Sequence, residues 1–469
     1  MPNRRVLVLV DGEHYPPVVR AAIEELRAHE CDVVGAALLG GGEKLRADVP
    51  ADYGVTTVTG PSPLAALLEG LERFPADEVV DLSDAPVVDA RSRMLLAAHA
   101  LRRRVPYRGA DFAFDPPLRA HLAEKPSIAV IGTGKRTGKT AIAAAVARAL
   151  AADGRPPVIV AMGRGGPSDP EVIDPAATDL SPAALVARAE TGRHAASDHL
   201  EDALAAGVVT VGTRRCGGGF AGAPASSTFP AGVVLANRRP EPLLVLEGSG
   251  TAIPPVHADA TLCVVPGAAD PEIVTGYLGP YALLLSDLVV VTLVDVPPPP
   301  GSSRAAVRSL AAPALEDRIR DIAPDTPVLH TALRPWPLAS IEGRSIFFAT
   351  TAPEPIAARA AAHLESRHRA TVVGRTSHLA ERDRLVEDLA RIPAGVEVLV
   401  TELKAAAVDV ATRVALDRGM EVIYCDNRPE PMVTGADHAG PPDRFDAAVR
   451  AVADLATERF TALQATTST

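Results

Sequence analysis

Aromatic residues are scarce. Phe, Tyr and Trp together make up 3% of the 469 residues, although 47% of the chain is hydrophobic. Cores must therefore come from Ala, Val, Leu and Ile, and Ala-rich runs alternating with Val-rich runs favour α/β layers over an all-β protein. Cysteine is also rare. Cys31, Cys216, Cys263 and Cys425 are far apart and form no C-x-x-C pair, which argues against a zinc site or a disulfide framework and fits a reducing cytosol. Cys216 reads as a small residue in a tight loop rather than a nucleophile, since no base is recognisable beside it.

No long basic stretch offsets the net charge of −11, so general binding to nucleic acid or a membrane surface is not expected. An anionic small molecule stays open, because a local arginine pocket can hold phosphates on an acidic protein. No apolar run reads as a membrane span; the stretch near 282–294 is broken by Ser286 and Asp287. A strand begins within a few residues of Met1 with no signal-like apolar segment, so a cytoplasmic protein is expected. Pro (43) and Gly (36) are plentiful but lie between periodic segments, as loops do.

The length predicts two or three domains. Residues 5–10 are a continuous apolar run, as for a strand buried on both faces, and a helix is predicted from about 18 to 29. Strand-like 31–39 and 79–82 and a helix near 89–103 continue the alternation. This predicts a smaller doubly wound α/β domain over 1–124, with Asp11, Glu13 and His14 just past its first strand, where ligands of such sheets bind. Residues 125–469 are expected to form a P-loop NTPase domain with a mainly parallel sheet and a C-terminal α/β extension, with a seam near 340–375. Later strands near 371–373, 397–401 and 421–425 either extend the central sheet or form a lobe of their own. Asp426 to Pro429 reads as a turn.

The chemistry starts at residues 132–140, Gly-Thr-Gly-Lys-Arg-Thr-Gly-Lys-Thr, between the apolar run 127–131 and the Ala-rich run 141–152. A strand, a glycine-rich turn and a helix opening on Gly-Lys-Thr form a phosphate-binding P-loop. Backbone N–H groups from Gly134 to Thr140, including Thr137 and Gly138, would cradle phosphates. Lys139 would reach the outer ones, and the Thr140 hydroxyl would ligate Mg²⁺. One departure stands out: the usual spacing asks for glycine where this chain has Thr133. Lys135 and Arg136 inside the loop are placed to meet transferring phosphates.

Glu247, at the end of the apolar run 243–246 and followed by Gly248-Ser249-Gly250, is the expected acidic partner for Mg²⁺. Arg214 and Arg215 before Gly217, Gly218 and Gly219 form a second candidate anion site, since guanidinium forks and converging amides both bind phosphate oxygens. Arg164, within Gly163 to Gly166, is a third. The P-loop with Glu-Gly-Ser-Gly looks like the arrangement in dethiobiotin synthetase and related ATPases.

Taken together, the segments resemble the cyclic 2,3-diphosphoglycerate synthetase family. The resemblance rests on DGEHYP at 11–16, IGTGKRTGKTA at 131–141, AMGRGGP at 161–167, RRCGGGFAG at 214–222, LEGSGTAIPPV at 246–256 and ELKAAAVD at 402–409. It implies an ATP-dependent ligase that closes 2,3-diphosphoglycerate into a cyclic pyrophosphate, with ATP and Mg²⁺ as cofactors. Lys139 would carry the phosphoryl transfer, and Asp11, Glu13, His14, Arg164, Arg214 and Arg215 would serve the substrate. A homodimer and dependence on K⁺ are implied by the resemblance alone. A kinase that makes 2,3-diphosphoglycerate and a non-catalytic ATP-driven switch remain the alternatives.

Overall fold

The computed structural model describes residues 3–42, 44–45, 52–295, 312–433, 440–441 and 443–467. They belong to two compact units. The first comprises Met1–Leu118 with Pro271–Leu285 and Asp321–Pro324, and the second comprises Arg119–Asp270, Ser286–Arg320 and Asp325–Thr469.

Six strands make the sheet of the first unit: β1 (Arg4–Val10), β2 (Cys31–Leu38), β3 (Thr57–Thr59), β4 (Glu78–Asp81), β5 (Tyr107–Arg108) and β6 (Ala113–Phe114). Their order is β3-β2-β1-β4-β5-β6, parallel except for the final hairpin. The chain order reverses between β1 and β4, so their C-terminal ends flank the crevice where doubly wound sheets bind ligands. Two short helices from much later in the chain, Pro271–Thr275 and Gly279–Leu284, complete this unit. Arg91 pairs with Glu272 at 2.7 Å, and Arg102 Nε donates to the Leu284 carbonyl at 2.7 Å.

The second unit carries β7 (Ser127–Gly132), β8 (Pro157–Gly163), β9 (Glu171–Ile173), β10 (Thr210–Cys216), β11 (Ser226–Ser227), β12 (Leu243–Glu247), β13 (Ala260–Pro266), β14 (Leu288–Thr292), β15 (Val328–Pro337), β16 (Ser345–Ala349), β17 (Thr371–Thr376), β18 (Val398–Thr401) and β19 (Glu421–Pro431). They form one sheet in the order β11-β10-β8-β12-β7-β13-β14-β15-β19-β18-β16-β17, with β9 on β10. The expected α/β architecture with a mainly parallel sheet is present.

The C-terminal strands extend the central sheet. β15 runs parallel to β14 over its first three residues, then pairs antiparallel with β19 from Thr331↔Pro431 to Pro337↔Cys425. Asp426 to Pro429, expected as a turn, lie inside β19. The long ladder with β15 overrides the local turn preference of Asp-Asn and Pro.

The helix Lys139–Ala152 follows the P-loop and buries ten of its fourteen residues. It packs on β7 and between the helices Asp198–Ala206 and Arg444–Thr467. A helix covered on several sides needs small side chains all round, which explains the alanines. Ile142, Val146 and Leu150 form its inward stripe against Val130, Val245 and Val264. No helix among the described residues is long and apolar enough to cross a membrane.

This packing seats the P-loop. Ile142 is fully buried one turn after Lys139, so Ile142→Ala should cost roughly 2–5 kcal/mol of stability. Denaturant titration of the variant checks this, and a loss well under 1 kcal/mol would contradict the packing described.

Candidate active site

All six residues of β7 are buried, and the turn after it bends back into the helix at Lys139. Thr133 still belongs to the sheet edge, its N–H donating to the Val264 carbonyl at 3.2 Å, and it is not left-handed. Glycine is therefore not required there, which resolves the odd spacing. The left-handed residues are Arg136 (φ 62°) and Gly138 (φ 89°). A Cβ on Gly138 would lie 2.8 Å from Leu333 Cδ1, so glycine is needed at that position for space as well as conformation.

Lys139 is 7% exposed. Its Nζ donates to the Gly134 carbonyl at 2.7 Å and to Thr137 Oγ1 at 3.3 Å. Burial lowers the ammonium to about 8, opposed by the charges of Glu247 and Asp198. Thr292 Oγ1 donates to the Thr137 carbonyl at 2.7 Å and ties the loop to the end of β14. Lys135 and Arg136 are exposed and have no ion-pair partner among the described residues.

Glu247 ends β12 directly beside β7, opposite Val130, and is 2% exposed. Thr140 hydrogen-bonds to it, while its Oε2 is buried without a partner. Against it stands Asp202, fully buried, with no hydrogen-bond donor for either carboxyl oxygen. Burial, and then the Asp198 charge, raise Glu247 to about 7 against the hydrogen bonds of Asp202 and Thr140 and the Lys139 charge. Burial also raises Asp202, with Glu247 adding to it. Two carboxyls in contact must hold a proton or a cation between them. Oxygen donors from Thr140 and Glu247, with Asp202 behind, suit a hard cation such as Mg²⁺. No group of three or more His, Cys, Asp or Glu among the described residues could hold a metal alone.

Asp198, Glu201 and Asp202 share one face of the helix Asp198–Ala206 through their i, i+3, i+4 spacing. Lys404 reaches Glu201 at 3.0 Å. Burial works against the Lys404 charge, but Glu201 and Glu402 outweigh it and hold the ammonium protonated. Glu402 accepts from Thr351 N at 3.0 Å, from Thr351 Oγ1 at 2.9 Å and from Asn427 Nδ2 at 2.9 Å. Sequence reasoning missed this whole set. Asp-His-Leu-Glu-Asp at 198–202 looks like a solvated helix face, and only the family-specific ELKAAAVD segment hinted that 402–404 mattered.

Two guanidiniums converge on the turn after Glu247. A Cβ on Gly250 (φ 61°) would lie 2.8 Å from Arg164 Nη2 and 3.1 Å from Arg215 Nη2. Arg215 donates to the Ser249 carbonyl at 2.7 Å and to the Gly217 carbonyl at 2.6 Å. Burial lowers its pKa, and the Arg164 charge lowers it further, the mark of two cations that an anion would relieve. Gly218 lies beside the Arg215 fork. Arg214, its neighbour on β10, is exposed and alternates to the opposite face. The structure thus groups Arg164 and Arg215, with Arg214 apart.

Asp11, Glu13 and His14 form a set of their own in the first unit. Asp11 is fully buried; its Oδ1 accepts from Glu13 N at 2.9 Å, from His14 N at 3.1 Å and from His14 Nδ1 at 2.8 Å. Its Oδ2 accepts from Asp84 N at 2.7 Å and so joins the ends of β1 and β4. Asp11 shapes the loop and orients the half-exposed His14 ring, while Glu13 Oε1 accepts from Gly42 N at 3.2 Å.

A carboxyl raised from 4.5 to about 7 binds more protons in the folded state between those values, so stability falls as pH rises through that window. The ligand-free protein should accordingly lose thermal stability between about pH 5 and pH 8. Asp202→Asn should flatten that slope and raise the melting temperature at the alkaline end. Identical slopes for the two proteins, read by thermal unfolding, would contradict the carboxyl pair.

Three family models match this chain: the cyclic 2,3-diphosphoglycerate synthetase N-terminal domain over residues 5–115, its P-loop domain over 127–332 and its C-terminal domain over 337–428. The cyclic 2,3-diphosphoglycerate synthetase of Rubrobacter xylanophilus is 44% identical over 93% of this chain and 96% of its own length. That of Methanothermus fervidus is 41% identical over 91% of this chain and 93% of its own. The Methanothermobacter thermautotrophicus protein of the same name is 41% identical, with 97% of each chain covered. Among solved structures, the apo form of LpxK from Aquifex aeolicus in complex with ATP aligns at 12% identity and a TM-score of 0.41, over 71% of this chain and 90% of that one, a likeness too slight to build on. With P-loop, acidic partner and arginine pair in place and all three family domains matched in order, this chain belongs to the cyclic 2,3-diphosphoglycerate synthetase family.

Proposed function

We propose that this chain uses ATP to close 2,3-diphosphoglycerate into its cyclic pyrophosphate, releasing ADP and phosphate. Beyond family membership, one observation carries the reading. The Arg164 and Arg215 guanidiniums meet over the turn that follows Glu247, on the strand next to the P-loop. A substrate with two phosphates repels itself as they are brought together, and paired guanidiniums beside the transferring phosphoryl group offset that repulsion.

A phosphate monoester is a poor electrophile, so one substrate phosphate must first be activated. Its oxygen attacks the γ-phosphorus of ATP, the bond to ADP breaks, and a mixed anhydride forms. An oxygen of the second phosphate then attacks the activated phosphorus. The P–O bond to the transferred group breaks, inorganic phosphate leaves and the ring closes. Holding both phosphates in one site supplies the effective molarity for closure.

Loop amides and Lys139 grip the ATP phosphates, and Lys135 and Arg136 at the loop tip meet the charge that moves. Thr140 and Glu247 would hold Mg²⁺, which when bound offsets phosphate charge. Asp202 keeps Glu247 in place. In the first unit, Asp11 orients His14 toward an anionic ligand of the same class. A homodimer and a K⁺ requirement belong to the same reading and rest on the resemblance, while a cytoplasmic location is supported by the few, widely separated cysteines.

Incubation of purified protein with ATP, Mg²⁺ and 2,3-diphosphoglycerate should give a cyclic pyrophosphate signal in ³¹P NMR. Nucleotide binding without turnover would sink the reading, and so would a monoester product from 2-phosphoglycerate alone. Lys139→Ala should lower turnover by roughly 10²–10³-fold. Arg215→Ala should lower kcat/KM for the bisphosphate by roughly tenfold or more with nucleotide affinity kept; an unchanged kcat/KM would remove Arg215 from the substrate site.

A further inference from the structure

One ion pair crosses from the family's C-terminal domain to the acidic helix beside the P-loop. Lys404 lies in the stretch matched by the C-terminal domain, and Glu201, its partner at 3.0 Å, lies in the P-loop domain. The pair is internal to the second unit. Among the described residues it is the only ion pair that either side chain makes within 4 Å.

The chain around Lys404 is shaped to present it. β18 ends at Thr401, and Glu402 then anchors the turn through Thr351 and Asn427. Ala405 takes a left-handed conformation (φ 49°), which a residue with a Cβ adopts at a steric cost. A π-helical turn, Ala407–Thr412, follows directly. Left-handed backbone and π turns both recur where local geometry serves a function. Leu403 and Ala406, on either side of this turn, share an apolar core with Leu200 and Ala203, which flank Glu201 and Asp202. Apolar packing thus brings the two segments together, and the ion pair sets their register.

The helix across this seam carries charges of the reaction edge. Asp202 stands against Glu247, to which Thr140 hydrogen-bonds. The Asp198 charge acts on Lys139, Arg215, Glu247 and Lys404 alike. A partly desolvated ion pair adds little net stability, since lost hydration offsets the attraction. Its use lies in where it holds the helix.

We propose that Lys404 is a positioning residue for ring closure: it holds Glu201, and through the helix Asp198–Ala206 it sets where Asp198 and Asp202 stand against Glu247 and Lys139. The assignment rests on the reading that this edge carries out the ATP-dependent closure. It gives the C-terminal domain a part in the chemistry through a helix that the domain does not itself contain.

The test is steady-state kinetics of the whole protein with ATP, Mg²⁺ and 2,3-diphosphoglycerate, with melting temperatures alongside. Lys404→Met should lower kcat by roughly 10–100-fold, as loss of an outer support for a reacting group does. Both KM values should stay within about twofold. Lys404→Arg, which keeps the charge, should recover most of kcat. Glu201→Gln should reproduce the loss, and the double variant should lose no more than the worse single one, because both changes remove one interaction. If Lys404→Met melts below the assay temperature, Glu201→Gln, which leaves Lys404 beside Glu402, carries the case with the same expected result. Wild-type kcat in the folded variants would make the pair structural only and overturn the assignment. A raised KM for the bisphosphate at unchanged kcat would overturn it in favour of direct substrate contact. A wild type that makes no cyclic product would overturn the ring-closure reading itself, which is a different result.

Discussion

A parallel sheet brings the C-terminal ends of its strands to one edge, and here that edge is crowded with charge. Lys139 is buried at 7% exposure, Glu247 and Asp202 bury three carboxyl oxygens without a donor, and two guanidiniums crowd one glycine. None of these arrangements is favourable by itself, since buried like charges shift toward neutrality or demand counter-ions. A polyanion with its cation would relieve each.

Strand order sorts the charges. From β10 through β8 and β12 to β7, the edge runs from guanidiniums through carboxylates to the phosphate loop. Rigidity comes from below the edge, where the alanine-rich helix after the P-loop is packed among two other helices and the sheet. Lys404, from the C-terminal extension, pairs with Glu201 and so braces the helix that carries Asp202.

Much of this was legible in the sequence. Apolar runs bounded by glycine announced the buried strands, and Gly-Lys-Thr opening an alanine-rich run announced the P-loop. Glu247 was found because a carboxylate ending an apolar strand has few structural excuses. Asp198, Glu201 and Asp202 were not found, because acids at helical spacing read as a wet face unless the partner across the space is known. Arg164 and Arg215 could be nominated but not paired, since strand alternation that separates Arg214 from Arg215 appears only once the strand is placed. The β19 ladder was missed at Asp426 to Pro429 because its partner, β15, lies about a hundred residues earlier, and non-local pairing overrode the local turn signal.

The central claim is that a substrate phosphate takes the γ-phosphoryl group from ATP before the ring closes. Oxygen-18 in the phosphates of the bisphosphorylated substrate tests it directly, with the released phosphate read by ³¹P isotope shift. Attack by a substrate oxygen on the γ-phosphorus predicts one substrate-derived ¹⁸O in the inorganic phosphate. Released phosphate that carries no substrate oxygen, its new oxygen coming from solvent water instead, would contradict it.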